Sequence, residues 1–201
     1  MTNHDITIRT LTGRDAQLHA YVDDLARLRI SVFRDFPYLY AGSLDYERNY
    51  LRTYLDCPDS VIVLALAGDA VVGASTGLPL AAETAEFQQP FHAAGIDVET
   101  RFYGGESVLL PDYRGRGIYR AFFAGRENHA REFARFSHMT FCAVQRPADH
   151  PRRPPDYVPL DAVWARFGYT RRDDLVTHFQ WPDLDQSEST AKPMVFWEKP
   201  L

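Results

Sequence analysis

The most constraining stretch of this sequence runs from Ser107 to Phe133. A short apolar run, Ser107 to Leu110, stops at Pro111. A glycine-rich basic turn follows, Arg114-Gly115-Arg116-Gly117. An amphipathic helix then starts at once, with Ile118, Ala121, Phe122, Gly125, His129, Ala130 and Phe133 on its apolar face. Strand, turn and helix in immediate succession require a sheet for the helix to pack on. The turn also has the makings of an anion site. A helix N-terminus presents unpaired N–H groups and the positive end of its dipole. Gly115 and Gly117 let the backbone approach a phosphate closely, and Arg114 and Arg116 add charge. The lysine and the serine or threonine of a nucleoside-triphosphate loop are missing, so a pyrophosphate fits better. In isolation, an Arg-Gly-Arg-Gly turn is more often an ordinary exposed loop.

The rest of the chain interleaves strands and helices. Ile6 to Thr10 alternates as a strand. Leu18, Tyr21, Val22, Leu25, Leu28, Val32 and Phe33 recur at helical spacing, and Pro37 ends that helix. Ser43 is a good N-cap for a second helix, with Asp45 and Glu47 in its first turn and Tyr46, Tyr50, Leu51, Tyr54 and Leu55 as a stripe. Val61 to Ala67 and Val71 to Leu78 form a hairpin about Gly68-Asp69. Ala81 to Ala94 reads as an irregular helix broken near Pro90. Met139 to Val144 is a strand, Gln145 to Pro159 an extended proline-rich loop, and Leu160 to Phe167 a short helix stopped by Gly168. Val176 to Trp181 and Met194 to Glu198 are the last strands, and Asp183 to Ala191 between them is polar and expected to be exposed. There is no internal repeat. The order predicts an α/β or α+β sheet fold over residues 1–201 as a single domain.

Composition narrows the partners. A chain of 201 residues with 45% hydrophobic and 24% charged residues can bury one core. A net charge of −5 argues against a nucleic-acid groove and is compatible with a cationic or amine substrate. Cys57 and Cys142 have no metal-ligand spacing and read as reduced thiols of a cytoplasmic protein. Met1 to Asp5 is polar and lacks the apolar core of a signal peptide, and no apolar run approaches the roughly 20 residues that span a bilayer. The expectation is a soluble, cytoplasmic protein with no metal and no membrane or nucleic-acid partner. A homodimer is compatible with all of this.

At the basic turn the sequence resembles the GNAT acetyltransferases. Their signature loop, Gln/Arg-x-x-Gly-x-Gly/Ala, joins the fourth strand to the third helix and binds the pyrophosphate of CoA. Arg114 and Gly117 match it, and Tyr119 stands where the family has glycine or alanine. Trp164-Ala165-Arg166-Phe167-Gly168-Tyr169 resembles the family's Tyr-x-x-x-Gly-Phe helix ending, with Trp164 in place of the tyrosine that often protonates the leaving thiolate. The element order from Ile6 to Glu198 agrees as well. The resemblance implies a mixed, mostly antiparallel central sheet with helices on both faces, two strands splayed around the pantetheine arm. It implies acetyl-CoA as co-substrate, held by backbone groups of Val108, Leu109 and Leu110 and by Arg114, Gly115, Arg116, Gly117, Ile118 and Tyr119. The implied reaction is transfer of acetyl to a primary amine of a small molecule by direct attack in a ternary complex.

An alkyl amine has a pKa of roughly 10, so attack at neutral pH benefits from a base. Glu106 is the candidate, on the thioester strand and on the face of Val108 and Leu110 by alternation. A solvated carboxylate beside Gly104-Gly105 is the equal alternative. Tyr46 and Tyr50 are candidate acceptor-wall residues within an aromatic stretch, Phe33, Phe36, Tyr38, Tyr40, Tyr46, Tyr50 and Tyr54, that falls where the family's acceptor wall is built, although helix packing explains a stripe such as Tyr46, Tyr50 and Tyr54 too. A lid over the acceptor is expected from the segment Ala81 to Thr100. Tyr157 and Tyr169 read as structural, His150 as a surface histidine, and Arg146, Arg152 and Arg153 as solvated charges that could also grip an acidic group. The rival to an enzyme is a GNAT-like module that binds an acyl-CoA without turning it over, a reading Trp164 and Tyr119 favour. A nucleotide- or nucleic-acid-binding protein is a third, opposed by the charge.

Overall fold

The computed structural model describes residues 5–201. Of the polar stretch Met1 to Asp5, only Asp5 therefore lies within the described residues. Among the described residues seven strands form one sheet: β1 Ile6–Thr12, β2 Val61–Ala67, β3 Ala70–Pro79, β4 Arg101–Leu109, β5 His138–Val144, β6 Thr170–Trp181 and β7 Thr190–Pro200. Their spatial order is β1-β2-β3-β4-β5-β7-β6, and every pair is antiparallel except β4 with β5. Five helices cover it: α1 Val22–Phe33, α2 Leu44–Leu55, α3 Ala85–Ala93, α4 Ile118–Arg131 and α5 Asp161–Arg166.

The helices divide between the two faces. Leu25 and Leu28 of α1, Leu51 and Tyr54 of α2, and Phe87 and Phe91 of α3 share one core with Ile62, Leu64, Tyr103 and Val108. Ile118, Phe122, Phe123 and Ala130 of α4 share the other with Val61, Val63, Phe102, Phe141 and Trp197. The continuous apolar run of β2 follows from this. A strand covered on both faces buries every side chain and loses its alternation.

Several expectations change in detail. The first helix splits into a 3₁₀ turn, Ala16–Tyr21, and α1. Ser43 caps α2 as read, its Oγ accepting from the Tyr46 N–H. The helix over Ala81–Ala94 does not break at Pro90: α3 passes through it. Proline has no N–H to give the Glu86 carbonyl four residues back. The Thr177 hydroxyl from β6 donates to that carbonyl at 2.6 Å instead. Strand β4 begins at Arg101, six residues before the run legible in sequence, because Gly104-Gly105 interrupts the pattern. Asp183 in the polar segment before β7 is buried, not exposed. It takes a bidentate contact from Arg146, at 2.7 and 2.9 Å.

Candidate active site

Strands β4 and β5 run side by side for only three residues. Arg101, Phe102 and Tyr103 pair with His138, Met139 and Thr140, and then the two strands part. On its other edge β4 bulges. Gly104 faces Gly77 and Ser107 faces Ser75, so Gly105 and Glu106 together oppose Thr76. A bulge bends its strand and redirects a side chain, and here the redirected residue is Glu106. Beyond Tyr103 the parting strands enclose a cleft of about 1270 Å³. Gly104 to Ser107 and Leu109 line one wall, Phe141 to Arg146 the other, and the start of α4 closes one end.

That end is the basic turn. Gly115 and Gly117 have φ of 76° and 79°, the left-handed region that glycine tolerates, with open space where a Cβ would stand. The conformation, not crowding, calls for glycine. The N–H groups of residues 115–119 have no backbone partner, whereas those of Tyr113 and Arg114 close turns onto Leu110 and Pro111. Five consecutive free donors at a helix start are an anion cradle. The side chain of Arg116 turns back to the Asp112 carbonyl at 3.0 Å and over the Tyr113 ring, outside the cleft lining. Arg114 lines the cleft, its Nε 3.4 Å from the Leu109 carbonyl.

Tyr119 points inward, away from the cradle. Its ring packs on Phe123 and Phe167, and its hydroxyl accepts from Trp164 Nε1 at 2.9 Å. The two departures from the resemblance therefore meet each other. Burial pushes this phenol above its usual pKa, with the Trp164 hydrogen bond and the Arg126 charge opposing. Val108 is wholly buried in the core and pairs with Ala74, and Leu110 bonds through its N–H to the Val72 carbonyl, so neither side chain faces the cleft.

Glu106 lines the cleft and is 8% exposed. Its Oε2 lies 2.5 Å from Arg29 Nη1, an ion pair with poor hydrogen-bond angles, and 3.4 Å from the Tyr50 hydroxyl. The chain of groups continues from Tyr50 to Tyr54 at 3.0 Å and from Tyr54 to Glu83 at 3.2 Å. Arg29 also binds buried Glu47 at 2.5 Å through Nε. Burial pushes the Glu83 carboxyl up to about 7. Tyr50 thus stands behind Glu106, outside the cleft lining, and Tyr46 is 59% exposed beside Tyr40, away from the cleft. The outer wall is built by Phe33, Phe36 and Tyr38, from the earlier part of the same aromatic stretch, together with Tyr157. The segment 81–100 contributes nothing to it, because α3 is packed against β6 and the core through Phe87 and Phe91.

Arg29, Glu83 and Arg126 were not found by reading the sequence. Arg29 and Arg126 carried a signal, since each sits four residues along an apolar helical stripe, after Leu25 and Phe122 respectively. A charge in a buried stripe asks for a partner or a function.

An antiparallel sheet with one parallel pair, split by a bulge, with a phosphate-type turn leading into α4, defines the GNAT acetyltransferase fold. Solved structures share it over the whole chain. NAA60 of Arabidopsis thaliana, in complex with acetyl-CoA, matches with a TM-score of 0.62 at 13% identity, covering 98% of this chain and 99% of its own. The N-acetyltransferase of Staphylococcus aureus Mu50 matches at 0.60 and 10% identity, with 98% of each chain covered. The ribosomal-protein-alanine N-acetyltransferase of Brucella melitensis matches at 0.57 and 16%, covering 97% of this chain and 99% of its own. No family model matches the sequence, and no curated protein matches it. No described helix is long and apolar enough to cross a membrane.

Proposed function

We propose that this chain is an acyl-CoA-dependent N-acyltransferase. It moves an acyl group, acetyl in the simplest case, from the CoA thioester to a primary amine of a small molecule in a ternary complex. One observation carries the reading: a single cleft joins the row of free N–H groups at residues 115–119 to the carboxylate of Glu106. The acetyl-CoA held by the Arabidopsis neighbour supports the donor.

The pyrophosphate sits on the N–H groups of Gly115 to Tyr119, with Arg114 beside it. The arm runs along the β4 edge, where the backbone of Leu109 faces the gap left by β5; Leu110 spends its N–H on Val72 and Val108 pairs with Ala74, both on the β3 side. Glu106 keeps Oε1 free of protein hydrogen bonds while Arg29 and Tyr50 hold Oε2, so it accepts the amine proton directly or through water. The amine nitrogen attacks the thioester carbon, and the C–S bond breaks as the tetrahedral intermediate collapses. The Tyr119 hydroxyl accepts from Trp164, which leaves its own hydrogen free to bond to the departing thiolate. Direct attack is favoured over an acyl-enzyme, because burial pushes the Cys142 thiol in the cleft up to about 12. Phe33, Phe36, Tyr38 and Tyr157 give the acceptor side an aromatic wall suited to a small ligand.

The test is calorimetry with CoA and acetyl-CoA, followed by thiol release against panels of small amines, amino acids and peptides. Turnover with small amines is expected. No heat and no thermal stabilisation at millimolar ligand would sink the reading. Binding without turnover on any panel would replace it with an acyl-CoA-binding module, and turnover confined to peptides would overturn the small-molecule acceptor.

A further inference from the structure

Arg126 stands in the third turn of α4, is 2% exposed, and lines the cleft. It lies directly beneath Gly104: a Cβ there would come within 2.6 Å of Nη1, so the strand leaves that space to the guanidinium. Its protein contacts are poor. Nη1 reaches the carbonyls of Thr76 and Glu106 at 3.5 Å each, the outer limit of a hydrogen bond. Nε is buried with no partner. The guanidinium stacks on the Phe123 ring at 4.7 Å and forms no ion pair with any described carboxylate. Glu127, next in sequence, is taken by Lys199, Arg131 and the Tyr169 hydroxyl. A buried charge without a counter-charge is costly, and a guanidinium fork is the donor set that matches a carboxylate.

Its place in the cleft says which carboxylate. Tyr103 and Thr140 are the last pair before β4 and β5 part, and Gly104 is the next residue. Arg126 therefore marks the apex of the split, at the opposite end from the N–H cradle. An arm anchored at residues 115–119 and laid along the split brings its acyl group toward that apex. Resting on the acyl-CoA reading above, we infer that the preferred donor is a carboxyacyl-CoA, a malonyl- or succinyl-type thioester, whose terminal carboxylate pairs with Arg126. A neutral acetyl group leaves the guanidinium as it stands; a carboxylate in the cleft supplies the missing counter-charge as a charge-assisted pair. The bond chemistry is unchanged, since the carboxylate is carried through intact.

The experiment needs no acceptor. Calorimetry on the full chain compares CoA, acetyl-CoA, butyryl-CoA, malonyl-CoA and succinyl-CoA. At least one carboxyacyl thioester should bind about tenfold or more tighter than its neutral counterpart, the range one charge-assisted pair supplies. Arg126→Gln should erase that difference and leave CoA affinity unchanged. Arg126→Lys, which keeps charge without the fork, should retain part of it. The wild-type comparison stands even where a variant fails to fold. Equal affinity across the thioesters overturns this inference alone. So does an equal loss for every thioester in Arg126→Gln, which would put the guanidinium on the thioester itself. Failure of CoA and all thioesters to bind overturns the acyl-CoA reading and the inference with it.

Discussion

Two buried arginines flank strand β4, one on each face, and they are treated oppositely. Arg29, 8% exposed, lies between the carboxylates of Glu47 and Glu106 at 2.5 Å each and between the rings of Phe33 and Tyr50. Arg126, 2% exposed, has one ring and two carbonyls at the hydrogen-bond limit. Burial alone therefore does not distinguish a structural charge from one awaiting a ligand; the partners do. On the α1–α2 face the counter-charges come from the chain, and the guanidinium holds a candidate base in position. On the α4 face none is provided, and Arg126 lines the cleft.

The largest effect is expected where this contrast is broken in stability. Arg29→Met leaves two buried carboxylates without their cation, and breaking a buried pair from one side typically costs about 3–5 kcal/mol. Arg126→Met removes a cation that nothing neutralises and should cost under about 1 kcal/mol or stabilise. Urea unfolding of the two variants decides it. Equal losses would mean that Arg126 is as structural as Arg29.

The carboxylate face can be sharpened by pH. The Glu83 carboxyl is pushed from 4.5 up to about 7, first by burial and then by Glu106, against bonds from Thr84 and Tyr54. The native state thus binds a proton more tightly than the unfolded chain. The resulting stability is complete below pH 4.5 and is lost as pH rises through 7. Its full size is about 3 kcal/mol. Unfolding free energies at pH 5 and pH 8 should show that fall in the wild type, and Glu83→Gln should flatten it; an unchanged slope assigns the titration elsewhere. A somewhat smaller effect is expected on turnover at Glu106. Glu106→Gln keeps the shape and removes the proton acceptor, so the rate should drop about 100-fold. An unaltered rate and pH profile would remove Glu106 from the chemistry.

The fold was largely legible because its signals are local. The β2–β3 hairpin shows at Gly68-Asp69, the N-cap at Ser43, and the anion turn at Gly115 and Gly117, where positive φ needs glycine. What escaped depends on contacts far apart in sequence. Pro90 looked like a helix break until a hydroxyl 87 residues on, from Thr177, took the orphaned carbonyl. Gly104-Gly105 hid the first half of β4, since a bulge is defined by the strand opposite. Tyr46 and Tyr50 share a helical stripe, but only Tyr50 turns to Glu106, and Tyr157 joins the aromatic wall of Phe33, Phe36 and Tyr38 from the loop after β5. The Glu83–Tyr54–Tyr50–Glu106 chain unites β4 with α2 and the turn that follows β3, a juxtaposition that no spacing encodes.

The smallest expected effect tests how the two departures from the GNAT pattern meet. Tyr119 and Trp164 are joined by one hydrogen bond, in which the indole donates and the phenol accepts. The phenol hydrogen is then directed elsewhere, and the cleft is what both residues line. Tyr119→Phe keeps the ring packed on Phe123 and Phe167 and removes only the hydroxyl. On the proposed reading backbone N–H groups hold the phosphates and this ring does not, so the Kd for CoA should change less than about twofold, while kcat falls by about tenfold, the share of one hydrogen bond to the leaving thiolate. Stopped-flow thiol release and calorimetry on the same variant separate the two. A tenfold loss of CoA affinity with kcat intact would instead place the phenol on the cofactor, and no change in either would reduce the Tyr119–Trp164 pair to packing.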